Sequence, residues 1–180
     1  MTDPVAARVA ELLAELGLDR DSDPELAETP ERFAELLRDW FVPREAPTLR
    51  GIPVDESQRG LVVMEGLRFH ALCAHHIVPF HGDVDIAYLP DEQIVGFGAL
   101  PRLVDALARG PQLQERLVAA IADTLERDLA PRGALVRIRA RQMCVELTGC
   151  RQQPTTTTLA GRGCYGGSSA AKYAQRIFST

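Results

Sequence analysis

Lysine is almost missing from this chain: Lys172 is the single lysine among 20 basic residues, and the rest are arginine. Those arginines are scattered rather than gathered into a stripe. With a net charge of -5 and a pI near 5.4, a nucleic-acid partner is not expected. The arginine bias reads as coding preference more than function. Long apolar runs are missing too: none approaches the ~20 residues that cross a bilayer, and mean hydropathy is -0.08, which excludes a membrane-spanning helix. The opening Met1-Thr2-Asp3-Pro4 carries neither a basic leader nor an apolar secretory segment. A cytoplasmic location without a membrane partner is therefore the expectation. There is no internal repeat, and the only low-complexity stretch runs from Thr155 to Thr158.

What remains is 180 residues and 19.7 kDa with 46% hydrophobic content, enough for one domain with a core and too little for a second large one. Val5, Val9, Leu12, Leu13 and Leu16 recur at helical spacing up to Gly17, and a second helix is predicted from Thr29-Pro30 through Trp40. Alternation predicts antiparallel strands over Gly60 to Cys73 and Asp83 to Tyr88. Leu100 to Ala108 is helical in pattern, and a longer helix is expected from Pro111, with Leu113, Leu117, Ile121 and Leu125 in one stripe. Strand character returns from Ala134 to Leu147. This order predicts an α+β fold with helices packed on one face of an antiparallel sheet. Residues 1–55 read as an N-terminal helical segment and 56–180 as the main α+β domain.

The four cysteines, Cys73, Cys144, Cys150 and Cys164, suggest metal or catalytic use before disulfides in a chain without export signals. Cys73 and His76 stand three apart, and Cys144 lies about seventy residues on, a distance read directly from the sequence. Two thiolates and an imidazole suit zinc and leave a fourth position for water, whose pKa such an ion brings toward neutrality. Two other readings stay open. The cysteines can be small buried hydrophobes. Alternatively, Cys150 closes a structural zinc site, although six extended residues from Cys144 would span roughly 20 Å unless the chain reverses at Thr148-Gly149. On the expected strand, Gln142 shares a face with Cys144, and His70 points away from Cys73.

Leu72-Cys-Ala-His-His-Ile-Val-Pro-Phe-His-Gly82 resembles the zinc segment of the GTP cyclohydrolase I family. Gln112-Leu-Gln-Glu-Arg-Leu117 resembles that family's guanine-binding helix, and Glu28-Thr-Pro-Glu-Arg32 and the Cys144 segment also match. The resemblance covers roughly residues 25 to 160 of the sequence. It implies a T-fold (tunnelling fold) whose subunits assemble into rings, as a decamer with active sites at subunit interfaces. It implies Zn2+ held by Cys73, His76 and Cys144, with His75 catalytic. It further implies Glu115 pairing with the N1-H and 2-amino edge of guanine, with Gln114, Arg102 and Arg32 as substrate-binding neighbours. A carboxylate suits that edge because it accepts two parallel hydrogen bonds.

The chain departs from the family pattern at several positions. The proton-moving histidine two before the second cysteine is Gln142, which can orient a water or a carbonyl but cannot exchange a proton near pH 7. The glutamate after the first cysteine is Ala74. Among triphosphate positions, a lysine is Glu35, a Ser-Lys pair is Gly98-Ala99 and an arginine is Thr148, while Arg32 and Arg102 remain. These changes remove charge-assisted contacts worth on the order of 1.5 to 3 kcal/mol each. The expectation is a zinc-dependent hydrolase that opens the imidazole ring of a guanine-type purine at C8, with Gln142 orienting the water or substrate. Its substrate would carry fewer phosphates than GTP: a base, nucleoside or monophosphate. The alternatives are an ordinary GTP cyclohydrolase I feeding pterin or folate synthesis, and a non-catalytic purine- or pterin-binding ring with structural zinc.

Overall fold

The computed structural model describes residues 3–18, 22–149 and 151–178. The chain divides into two compact units, Met1–Val42 and Pro43–Thr180. In the first, α1 (Pro4–Glu15) begins where the Asp3 carboxylate accepts from the Val5 N–H, a side-chain cap ahead of a proline in the first turn. Helix α2 (Thr29–Phe41) again opens with proline in its first turn, and the Asp3 carboxylate pairs with Arg38 of α2.

The second unit holds β1 (Gly51–Pro53), β2 (Val62–Cys73), β3 (Pro79–Leu89), β4 (Gln93–Val95), α3 (Ala99–Ala108), β5 (Pro111–Gln112), α4 (Gln114–Leu129), β6 (Gly133–Gln142), α5 (Met143–Leu147), β7 (Thr155–Gly163) and α6 (Ala170–Ile177). Five strands form one sheet in the order β5-β2-β3-β6-β7, antiparallel except for the short parallel β5–β2 pairing, and β1 pairs with β4 separately. The Gly60–Cys73 expectation is met by β2, whereas β3 starts at Pro79, four residues earlier than alternation suggested, because Phe80 and His81 pair with β2 through the turn. Helix α4 begins at Gln114 rather than Pro111, since Pro111 and Gln112 extend the sheet instead.

Leu100, Leu103 and Val104 of α3 and Leu117, Ile121 and Leu125 of α4 are buried against Val84, Ile86, Val136 and Ile138 of the sheet. Each such side chain contributes about 1.5–3 kcal/mol by leaving water. The stripe read from sequence is thus the layer that joins helices to sheet. The other face carries a smaller apolar cluster of Ala87, Leu135, Tyr165, Ala174 and Phe178 under α6. On that face the fully buried Asp85 accepts from Arg137 Nε at 2.8 Å and from the Gly66 N–H at 2.8 Å. Gly66 sits at φ +74 in a bulge of β2, a conformation glycine adopts without penalty. Among the described residues, no helix is long and apolar enough to cross a membrane.

Candidate active site

Cys73 is the last residue of β2 and is buried; its register partner is Gln112, and the Ala74 N–H donates to the Gln112 carbonyl at 3.0 Å. The chain then reverses tightly. Cys73 N–H donates to the Val78 carbonyl and Ile77 N–H to the Cys73 carbonyl, both at 2.9 Å. Ile77 takes φ 58, in the left-handed region that a β-branched residue rarely occupies. Such strain persists where the surrounding hydrogen bonds hold it, and here it holds the two histidines at the tip. Both histidines are exposed, and their rings stand nearly perpendicular with centroids 6.4 Å apart, so they face different directions.

Cys144 is reached differently from the expectation. Strand β6 stops at Gln142, and Met143–Leu147 form the short helix α5, so Cys144 sits on a helical turn rather than on a strand running to Leu147. Arg141 clamps this turn through two hydrogen bonds to Glu146, at 2.9 and 2.7 Å, and Thr148 Oγ1 donates to the Cys144 carbonyl at 2.7 Å. The expected strand alternation therefore does not relate Gln142 to Cys144; the helical turn does. His70 lies on the other sheet face, stacked on His81, and so does point away from Cys73.

The donor atoms of Cys73, His76 and Cys144 all lie within 4.8 Å of one another. Zinc bonds of roughly 2.1 Å to nitrogen and 2.3 Å to sulfur need donors roughly 3.5–4 Å apart, so this set fits a tetrahedral ion after a small inward adjustment. Burial pushes the Cys144 thiol up, and the adjacent Cys73 adds to the shift. Two thiols this close resist joint ionisation until a divalent cation supplies the compensating charge. Cys164 is exposed and outside this group, and Cys150 lies outside the described residues.

The remaining expected site residues are dispersed. Gln114 is buried: its Nε2 donates to the carbonyls of Ile138 (3.1 Å) and Thr156 (3.2 Å) and to Thr158 Oγ1 (3.2 Å), while its Oε1 accepts from Gln142 Nε2 and Thr156 Oγ1, both at 2.7 Å. Its amide is thus spent within the chain, and a direct contact between Gln114 and substrate is not what this arrangement offers. Glu115, one residue on, is exposed at the mouth of a cavity of about 450 Å³ shared with Thr158, Ala160 and Arg162. Arg102 is exposed in another cavity, of about 410 Å³, with Thr48, Arg50, Phe97 and Ala99. Neither cavity includes Cys73, His76 or Cys144. Arg32 lies in the N-terminal unit, where it pairs with Glu28 at 2.6 Å.

Sequence reading passed over two residues here. Thr156 was absorbed into a threonine run, although four β-branched residues in succession were a usable strand signal. Arg50 carried no local pattern and was placed beside Arg102 by folding alone.

The family model described as GTP cyclohydrolase I matches residues 5–177. A protein named GTP cyclohydrolase 1 from Leifsonia xyli is 42% identical over 164 residues, covering 88% of this chain and 85% of the relative. One of the same name from Mycobacteroides abscessus is 38% identical over 171 residues, covering 92% and 83%. Among solved structures, the apo form of the archaeosine synthase QueF-Like matches 57% of this chain and 93% of its own, at 17% identity and a TM-score of 0.48.

Proposed function

Since the chain belongs to the GTP cyclohydrolase I family and is a T-fold hydrolase of the cyclohydrolase kind, we propose that it opens the imidazole ring of a guanine-type purine at C8, on a base, nucleoside or monophosphate rather than on GTP. The observation that carries this reading is the Cys73, His76 and Cys144 donor group, intact within 4.8 Å in a chain that lacks two lysines and an arginine which the resemblance implies for triphosphate.

Cys73, His76 and Cys144 would hold zinc, which when bound supplies Lewis acidity next to the ring to be opened. The reaction is a hydrolysis: the oxygen of water bonds to C8, a C8–N bond breaks, and the proton passes to the departing nitrogen. His75, exposed at the tip of the same turn and with its ring turned away from that of His76, is the residue to carry that proton. Glu115 would anchor the guanine edge through two parallel hydrogen bonds. Gln142 replaces a proton carrier with an amide, which favours a reaction that ends at the formamidopyrimidine, or at the diaminopyrimidine if formyl is lost as well.

Glu115 and Arg102 line separate cavities that exclude the sulfur donors. That separation supports a site completed between subunits of a ring, a decamer by family resemblance. The second reading, an ordinary GTP cyclohydrolase I, is favoured by the names of relatives at 42% and 38% identity. Incubation of zinc-loaded protein with guanine, guanosine, GMP and GTP, followed by mass spectrometry, decides between them. Ring-opened product from the less phosphorylated purines is expected. Efficient conversion of GTP to dihydroneopterin triphosphate would overturn the altered-substrate reading in favour of the second.

A further inference from the structure

The orientation of the Gln142 amide follows from hydrogen counts, starting from groups whose polarity is not adjustable. The carbonyls of Ile138 and Thr156 can only accept, so the atom of Gln114 at 3.1 and 3.2 Å from them must be its nitrogen. The oxygen of Gln114 therefore faces the other way, toward Thr156 Oγ1 and Gln142, each at 2.7 Å. An amide oxygen donates nothing, so Gln142 must present its nitrogen there, and a weaker contact from that nitrogen to Thr156 Oγ1 at 3.4 Å runs in the same sense. The Thr156 hydroxyl, held also near the Ala140 carbonyl at 3.1 Å, braces the junction.

One atom is left over. Gln142 Oε1 has no hydrogen-bond partner among the described residues and is not a buried unsatisfied atom, so solvent reaches it. Gln142 precedes α5, yet its side chain does not cap that helix, although a residue at this position commonly does. Gln142 also stands on the sheet face of Ala140 and Cys73, two residues before Cys144.

From this chain of donors and acceptors we infer that Gln114 and Thr156 are positioning residues which lock Gln142 with its carbonyl oxygen outward, so that the site offers a fixed acceptor and selects a ligand group bearing an O–H or N–H at that point. The inference deepens the proposed function and rests on it for the identity of the ligand. It differs from a merely orienting glutamine in being one-sided: a ligand acceptor placed there meets an oxygen that cannot turn over, because turning would set it against Gln114 Oε1.

The test is a double-substitution cycle with Gln142→Met, Gln114→Met and the pair, read by calorimetric binding of GMP to the zinc-loaded protein and by melting temperature. Gln142→Met is expected to weaken GMP binding about 5- to 20-fold, the loss of one hydrogen bond to a polar group. Gln114→Met is expected to weaken it less, and the pair no more than Gln142→Met alone, because Gln114 acts only through Gln142. Thr156→Val should reproduce part of the Gln114→Met loss, and Thr156→Ser should restore wild-type binding. Losses that multiply in the pair would overturn the inference, as would a Gln142→Met protein that binds GMP like wild type. The melting temperatures decide the alignment without any ligand. Gln142→Met should lower the midpoint less in the Gln114→Met background than in wild type, because the shared amide contact is already gone, whereas fully additive shifts overturn the amide pair. Failure of zinc-loaded wild type to bind guanine, guanosine or GMP would sink the proposed function instead, leaving that thermal result to judge the alignment.

Discussion

At the sulfur end of the site, Cys73, His76 and Cys144 keep three donors within 4.8 Å, whereas beside Arg102 the cavity offers Gly98 and Ala99 where family resemblance implies serine and lysine. The two ends answer to different physics. Coordination is nearly all-or-none: one missing donor exposes the ion to water and to loss, so the set survives whole or vanishes. Phosphate binding adds up from separate charge-assisted contacts, each of which can be removed while the rest of the site stays built. Under the proposed function, the contrast is that of a chain which kept its bond-breaking apparatus while its phosphate recognition changed.

Breaking the sulfur end should have the largest consequence. Cys144→Ser is expected to take zinc from one per chain to near none and to cut purine turnover by more than about 100-fold, since even supporting residues of metal sites are worth 10–100-fold. Plasma mass spectrometry of metal content beside the turnover assay checks both. Removing the guanine anchor comes next: Glu115→Gln can accept only one of the two hydrogen bonds, and KM should rise by roughly 10- to 100-fold with zinc content unchanged, at 1.5–3 kcal/mol for a charged contact. Equal KM values in the two proteins would detach Glu115 from the site.

Restoring the eroded end is the sharper probe of the comparison. Gly98→Ser with Ala99→Lys should improve GTP relative to GMP by roughly 10-fold, about one recovered charge-assisted contact. The fold has room for it, because a Cβ on Gly98 meets only the mobile Arg102 Nη1 at 3.3 Å. No change in the GTP to GMP ratio would mean that this cavity does not face phosphate. The smallest effect is expected from acid acting on the N-terminal unit. There Arg38 hydrogen-bonds Asp3 and holds its carboxyl down at about 2, below the ordinary value of 3.8. The folded value is the lower one, so this contribution is full above pH 3.8 and is lost as pH falls through about 2. A shallow loss of far-ultraviolet helical signal over that window, absent in Asp3→Asn, would confirm that the pair bears on α1 and α2 alone.

Much of the architecture was legible because the relevant signals are local. The Leu117, Ile121, Leu125 stripe and the alternation through β2 declare which sides meet the core, and burial of those side chains follows. The C-terminal β7 and α6 went unread, since a threonine run looks like low complexity until it pairs with Arg139 and Arg141 of β6. The end of β6 was overrun for a similar reason: no glycine or proline interrupts Arg141 to Leu147, and the turn into α5 is held by the Arg141–Glu146 clamp, a contact that exists only after folding.

Residue identities alone supply the chemistry at hand: two thiols and an imidazole able to take a soft divalent ion, a glutamate able to accept two parallel hydrogen bonds, and an amide at Gln142 where the family resemblance implies a proton carrier. Folding decides how that chemistry is aimed. It gathers Cys144 onto a helical turn beside Cys73, withdraws Gln114 from solvent, and turns one oxygen of Gln142 outward. The reason is that hydrogen-bond polarity passes between groups distant in sequence. Thr156 and Ile138 set Gln114, and Gln114 sets Gln142, only once α4, β6 and β7 lie side by side.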